Sequence, residues 1–360
     1  MSPRAAWLLQ RCVVAPATLA LAVLAWVSLP LWLVAAAALS PLLPGRWRLL
    51  RLGWVALLYL TAEALLLAVL LSLWLASGFG RRIRTPYFAG IHYELVEGVL
   101  VVLFREARRV LRLRVRTVGP APDRFPDRPV LVCCRHAGPG DSFTLMYALM
   151  HWYAREPRVV LKDTLAWDPA ISVLLSRLPA RFVSPGGGEG LEEQVGALAR
   201  GLDADDAFVI FPEGGNFTPE RRERAIARLH RLGLHGMAER AEQLIHVLAP
   251  KPGGFLAALD AAEEADVLMV AHTGLDHVLT VGDVWRELPM DKEIVMRWWQ
   301  VPRDEIPDDR DARIEWLYDW WARVDDWVAD HRPTELERSA GDGPAGVRAA
   351  GRRPGRRRGR

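Results

Sequence analysis

The apolar positions of this chain are concentrated at its start. From Val13 to Leu39 no residue is charged, a run longer than the ~20 residues a helix needs to cross a bilayer. A short break, P-L-L-P-G-R-W-R-L-L-R, separates it from a second apolar run, Leu52 to Ser77. Two such runs predict a two-helix membrane hairpin with both ends on one side, and Pro30 is placed to kink the first helix. A cleaved signal peptide fits less well, because its apolar core is only ~7–15 residues long and no second span follows it. Glu63 falls near the middle of the second run, where a carboxylate is costly; a protonated or hydrogen-bonded group at the hairpin interface is expected.

Beyond the hairpin the periodicity changes. Ile91, Leu95, Val99, Val102 and Leu103 repeat at helical spacing, and Arg105, Arg108 and Arg109 gather at the far end. This predicts an amphipathic helix, packed on a domain or lying along headgroups. Leu113 to Val118 alternates apolar residues with arginine, as an edge strand does. Strands are then expected at Val130–Cys134, Arg158–Leu161, Arg181–Val183, Ala207–Phe211, His246–Leu248, Val267–Ala271 and Ile294–Gln300, with helices between most of them. The alternation predicts an α/β domain with a mostly parallel central sheet flanked by helices and a site at the strand ends. Asp308 to His331 reads as a last helix, whose Ile314, Leu317, Trp321, Val324 and Val328 would dock on the core. The resulting division is a membrane anchor at 1–80, a linker helix at 81–112, the α/β domain at 113–332 and an Arg-rich disordered tail at 333–360.

Charge refines this picture without changing it. The tail holds eight arginines and three acidic residues, a local +5 in a chain of net +3, so the body carries −2. Such a tail is either solvated or attracted to anionic headgroups, and nucleic-acid binding is not expected of it. Arg4, Arg11, Arg81, Arg82 and Arg84 flank the two apolar runs and outnumber Arg46, Arg48 and Arg51 between them. This favours an integral membrane protein with its α/β domain on the cytoplasmic face. Cys12, Cys133 and Cys134 form neither a Cys-x-x-Cys pair nor an even framework, so a disulfide scaffold or structural zinc is not expected.

Two strand ends carry candidate chemistry. In H-A-G-P-G-D, His136 follows the run ending at Cys134 and Asp141 opens the next helix. On one helix the two would point about 140° apart, but a Gly-Pro-Gly turn between them lets the carboxylate meet the imidazole. That pairing fixes a tautomer and suits a general base that deprotonates an alcohol. A structural alternative stays open: an N-cap aspartate and an unrelated strand-end histidine. In F-P-E-G-G-N-F-T, Glu213 follows a second apolar strand, and Gly214 and Gly215 would let a bound group approach the backbone.

The order H-A-G-P-G-D, then K-D-T-L-A-W-D-P-A-I-S with L-P-A-R-F-V, then F-P-E-G-G-N-F-T, then H-V-L-A-P-K-P-G-G-F resembles the four blocks of the glycerolipid acyltransferase superfamily, of the lysophosphatidic acid acyltransferase type. The resemblance covers roughly Leu113 to Gln300. It implies direct acyl transfer from acyl-CoA or acyl-carrier protein to the hydroxyl of a lysophospholipid in membrane lipid synthesis, with 1-acyl-sn-glycerol-3-phosphate as the first candidate acceptor. No metal, no resident cofactor and no acyl-enzyme are expected. In that reading His136 is the base and Asp141 orients it. Glu213, Gly214, Gly215 and Asn216 contribute to the acceptor site, and Pro250 with Lys251 shapes the acyl-donor wall.

Two positions depart from the family pattern, since Pro185 and Asn216 stand where arginines usually meet the acceptor's phosphate. Arg181, Lys162 or Arg221 would then substitute, or the acceptor is a less charged lysolipid. The rival readings are a transacylase that remodels phospholipids and a non-catalytic lipid-binding membrane adaptor.

Overall fold

The computed structural model describes residues 7–43, 47–122, 127–138, 140–183, 190–276, 278 and 280–333. Pro185 and the Arg-rich tail after Pro333 lie outside the described residues, as does the side chain of Lys162.

The first apolar run is a helix over Trp7–Val27 that begins with a π-helical turn at Gln10–Val14 and continues as α1, Ala15–Val27. It breaks at Ser28, and α2, Leu29–Leu39, carries Pro30 in its first turn. The kink thus falls just before the proline, because the ring cannot donate a backbone hydrogen bond and clashes with the preceding turn. The second run is α3, Arg48–Ala76. Trp26 Nε1 donates to Thr61 Oγ1 at 2.9 Å and Trp32 covers Gly53, so the two runs pack as a hairpin.

The expected helix between hairpin and domain is present, with Arg108 and Arg109 in its last turn. It is α4, Pro86–Leu111, long and apolar enough to be a third candidate membrane helix. Phe104 on it stacks on Tyr147 of the next helix at 4.1 Å. Glu63 is buried, but its partner is not the other half of the hairpin. Its Oε2 accepts from the Ala170 backbone at 3.3 Å, where the α/β domain meets α3.

The domain runs β1 Arg114–Val118, β2 Val130–Cys134, α5 Asp141–Tyr147, β3 Glu156–Lys162, α6 Pro169–Leu175, β4 Ala180–Val183, α7 Leu191–Ala199, β5 Asp206–Ile210, α8 Pro219–Arg231, α9 His235–Gln243, α10 Pro252–Ala261, β6 Asp266–Thr273, α11 Val281–Glu287, β7 Glu293–Val301 and α12 Arg310–His331. The sheet order is β1-β7-β6-β2-β5-β3-β4. All neighbouring pairs are parallel except β6 with β7. Every residue of β2 and β5 is buried, as a strand covered on both faces requires. Leu131 and Cys133 pack into one layer with Phe208, Phe255, Leu317 and Trp321, while Val132 and Cys134 face Val209, Leu145 and Trp298 on the other. Both cysteines are free and point to opposite faces of the strand.

One expected strand is absent. Residues His246–Leu248 form an irregular segment whose amides are taken by two carboxylates. Asp325 of α12 accepts from Ile245, His246 and Val247 at 2.5–3.1 Å, and Glu213 accepts from Leu248 at 3.1 Å. An amide held by a side chain is not available to a ladder.

Candidate active site

Strands β5, β2 and β6 deliver three loops to the carboxyl edge of the sheet, the usual ligand position in an open α/β fold. After Cys134 the Arg135 amide still donates to Val270 at 3.0 Å, and the chain then turns sharply. Asp141 closes the turn on itself: its Oδ2 accepts from the Ala137 amide at 2.6 Å and the Gly138 amide at 2.5 Å. A side chain at Gly138 would meet the Val278 carbonyl at 3.3 Å. The N-cap of α5 is Gly140, so Asp141 is not the capping residue and its carboxylate points back toward the loop.

His136 Nδ1 lies 3.3 Å from the same Asp141 oxygen, and its ring packs on Phe211 at 4.6 Å. A carboxylate on Nδ1 makes that nitrogen the protonated one and leaves Nε2 as a lone pair. Among the described residues nothing is hydrogen-bonded to Nε2, and no serine, threonine or cysteine side chain is bonded to the ring. Among the described residues the geometry leaves an imidazole lone pair free with no protein nucleophile bonded to it, an arrangement able to take a proton from a bound alcohol. His272 adds a second imidazole, its Nε2 at 3.0 Å from the Arg135 carbonyl and 3.6 Å from Asp141.

The loop is braced from beneath by a buried ion pair. Arg135 is 1% exposed; it donates to the His272 carbonyl at 2.6 Å and the His246 carbonyl at 3.0 Å, and meets Asp276 at 2.5 Å. Asp276 also accepts from Thr273 Oγ1 and the Gly274 amide, both at 2.8 Å. Burial raises the Asp276 carboxyl, but Arg135 and these donors outweigh it and hold the group well below its usual range. Asp141 is likewise lowered, through His272, His136 and the Gly138 amide acting against burial. These residues carry no periodic signal in the sequence, since Arg135 stands just past the apolar run ending at Cys134 and Asp276 lies in a loop.

A pH dependence follows. The folded state keeps Asp141 and Asp276 ionised where the unfolded chain takes up protons, so their contribution is complete above the ordinary aspartate value of 3.8 and is lost as pH falls through the lower folded values. Acid titration of thermal unfolding in detergent is expected to show stability falling below about pH 4, with a shallower fall in Asp276→Asn. An identical slope in the variant would remove Asp276 from this account.

Glu213 is placed differently from its expected role. It is 2% exposed, and its two oxygens accept from the His136 amide at 3.0 Å and the Leu248 amide at 3.1 Å. Burial pushes its carboxyl up to about 8 against the pull of Arg135 and the two amides. A carboxyl so enclosed fixes two loops, with each oxygen taken by a backbone amide. The Phe217 amide donates to the His136 carbonyl at 2.8 Å, and the Lys251 amide to the Pro212 carbonyl at 2.9 Å, which joins the remaining loops to the same edge.

Gly214 adopts φ +69°, and a Cβ there would lie 2.6 Å from Lys251 Nζ. A Cβ on Gly215 would lie 3.4 Å from Arg221 Nη1, which donates to the Asn216 carbonyl at 3.0 Å. The Gly-Gly turn is therefore flanked by two cations. Lys251 was expected on the donor wall; it lies against this turn, while Pro250 is buried behind it. Arg181 is not brought to the site. It lies on the edge strand β4, three strands from β2, or roughly 14 Å at 4.8 Å per strand.

Residues 112–272 match the family model described as Acyltransferase. Among solved structures, the chain is similar to the crystal structure of the 1-acyl-sn-glycerophosphate (LPA) acyltransferase PlsC from Thermotoga maritima, at 13% identity and a TM-score of 0.43 over 72% of this chain and 97% of that one. No curated protein matches the chain by sequence. Strands β1 to β5 and nearly all of β6, with the His136 and Glu213 loops, thus fall within the acyltransferase match, in agreement with the resemblance carried by the four blocks.

Proposed function

We propose that this acyltransferase domain moves an acyl group from the thioester of acyl-CoA or acyl-carrier protein to the free hydroxyl of a lysophospholipid, with 1-acyl-sn-glycerol-3-phosphate as the preferred acceptor. The observation that carries the reading is His136, oriented by Asp141 and, among the described residues, bonded to no protein nucleophile, beside a Gly-Gly turn flanked by Arg221 and Lys251. The acceptor O–H gives its proton to His136 Nε2 as its oxygen attacks the thioester carbonyl. The tetrahedral centre collapses with cleavage of the C–S bond, and the imidazolium returns the proton to the departing thiolate. The products are an ester and a free thiol, and His136 is regenerated.

The two cations support a phosphomonoester acceptor despite Asn216. Arg221 comes from the start of α8 and reaches back to the turn, where its guanidinium donates to the Asn216 carbonyl and brings positive charge beside position 216. Arg221→Gln is expected to raise KM for lysophosphatidate by ~10-fold or more, the worth of a charge-assisted hydrogen bond, and to leave turnover of zwitterionic lysophosphatidylcholine unchanged. Thiol release from acyl-CoA measured with both acceptors tests this. Equal rates on the two lysolipids, insensitive to Arg221, would favour a remodelling enzyme. Acyl movement between phospholipids without a thioester would identify a transacylase, and no turnover on any acceptor an adaptor.

The domain is held close to the membrane. Arg48 at the start of α3 donates to the Leu288 and Arg286 carbonyls at 2.7 and 2.9 Å, and the Leu70 carbonyl near its end accepts from Arg177 at 2.8 Å. These anchors are roughly 33 Å apart along the helix at 1.5 Å per residue. The domain thus lies along α3 and does not hang from one end, which supports an anchor embedded in the plane of one leaflet. The arginines that flank the apolar runs favour the cytoplasmic leaflet.

A further inference from the structure

Far from His136, Arg11 and Arg84 meet Ser176, and Arg177 follows it in the chain. Ser176 ends α6 and leads into the amino end of β4, so it lies on the edge of the parallel sheet opposite the candidate active site. Arg84 Nη2 donates to the Ser176 carbonyl at 3.1 Å, and Arg11 Nη2 lies 3.5 Å from Ser176 Oγ. Arg177, next in the chain, donates to the Leu70 carbonyl at 2.8 Å and to His92 Nε2 at 3.2 Å. His92 can accept because its Nδ1 faces the Phe88 carbonyl at 2.5 Å, which makes the ring neutral with Nε2 unprotonated.

Every one of these acceptors is uncharged. Among the described residues none of the three arginines is paired with a carboxylate, and Arg11 Nε is buried without a partner. Burial and the nearby Arg11 hold the half-buried Arg177 guanidinium down, to about 10. Capping of helix carbonyls accounts for one cation at such a place, since a helix end carries only about half a charge. It does not account for three.

The surroundings indicate what supplies the missing charge. The arginines sit where the first helix begins, α3 ends and α4 begins. Trp7, Phe79 and Tyr87 are more than half exposed at these termini, Trp74 packs edge-on against Phe79 at 5.2 Å, and Arg11 lies over the Trp7 ring. Exposed aromatics interleaved with arginine at the ends of apolar helices mark the depth of lipid headgroups.

We propose that Arg11, Arg84 and Arg177 form a binding site for the phosphate of an anionic phospholipid headgroup, separate from the acyl-transfer centre. The lipid's acyl chains lie along the exposed apolar faces of the first helix and α3, and its phosphate bridges the two helices to the catalytic domain at Ser176. Free phosphate offers the same oxygen chemistry without the chains, so the test includes it.

The full-length protein in detergent is titrated with short-chain phosphatidylglycerol, short-chain phosphatidylcholine or inorganic phosphate, and binding is read from tryptophan fluorescence. Saturable binding of phosphatidylglycerol and weaker binding of phosphatidylcholine are expected. Arg177 is half buried and its loss can unfold the junction, so the variant pair is Arg11→Gln with Arg84→Gln. Each is expected to weaken phosphatidylglycerol binding by about fivefold and the pair by about 25-fold, with acyl transfer in phosphatidylcholine vesicles unchanged. Unchanged phosphatidylglycerol affinity in the double variant, or equal affinity for the two lipids, would overturn the site. Displacement of phosphatidylglycerol by an equal concentration of inorganic phosphate would assign it to a soluble anion and overturn the lipid reading.

Discussion

Replacing His136 by alanine is expected to lower acyl transfer by about 10²–10⁴-fold, the usual worth of a positioned general base. The reason is specific to this geometry. Among the described residues Asp141 is the hydrogen-bonding partner of the imidazole, and no serine, threonine or cysteine is bonded to the ring to take over attack. The fold is expected to tolerate the change, because the structural bonds at this position belong to the main chain: the His136 amide to Glu213 and the carbonyl from Phe217. Thiol release from acyl-CoA, followed beside thermal unfolding, separates lost chemistry from lost structure. Asp141→Asn acts through the imidazole, so it is expected to slow the wild type and to add little to His136→Ala, as groups acting as one unit do. Turnover of His136→Ala near that of the wild type would refute the assignment.

The second large effect is on stability. Arg135→Leu is expected to destabilise the domain by about 3–5 kcal/mol, because it removes one partner of a buried pair and leaves Asp276 without its counter-charge. The Leu side chain also leaves the His272 and His246 carbonyls without their donor. Asp276→Asn is expected to cost less, since an amide oxygen can still accept from Thr273 Oγ1 and the Gly274 amide. Denaturant unfolding of both variants measures the difference. A loss below about 1 kcal/mol for Arg135→Leu would mean that the pair contributes no more than an exposed one.

Much of this arrangement is legible in the order of residues, and the legible part is local. The uncharged run from Val13 to Leu39 and the later run to Ser77 announce helices suited to a membrane because composition alone decides transfer into hydrocarbon. The five buried residues Val130–Cys134 announce a central strand, and Gly138 with Gly140 announces a turn tight enough to bring Asp141 back to His136. Each of these features is set by neighbours within a few positions, so periodicity and turn chemistry suffice to find it.

What the sequence could not determine depends on groups far apart in the chain. Glu213 looks like an acceptor ligand until Leu248 and His136 are seen to occupy both its oxygens. His246–Leu248 has a strand's composition but loses its amides to Asp325, nearly eighty positions away, and to Glu213. Arg135 and Asp276 meet across more than a hundred residues, and so do Arg11 and Ser176. Arg221 is an ordinary charge on a solvated helix until the Gly-Gly turn brings it over Asn216. Sequence by itself determined most of the elements and the pairing of His136 with Asp141, because local sterics and burial act along the chain. Only the tertiary structure decided which charges stand together, because electrostatic partnership depends on distance in space and burial, which folding alone sets.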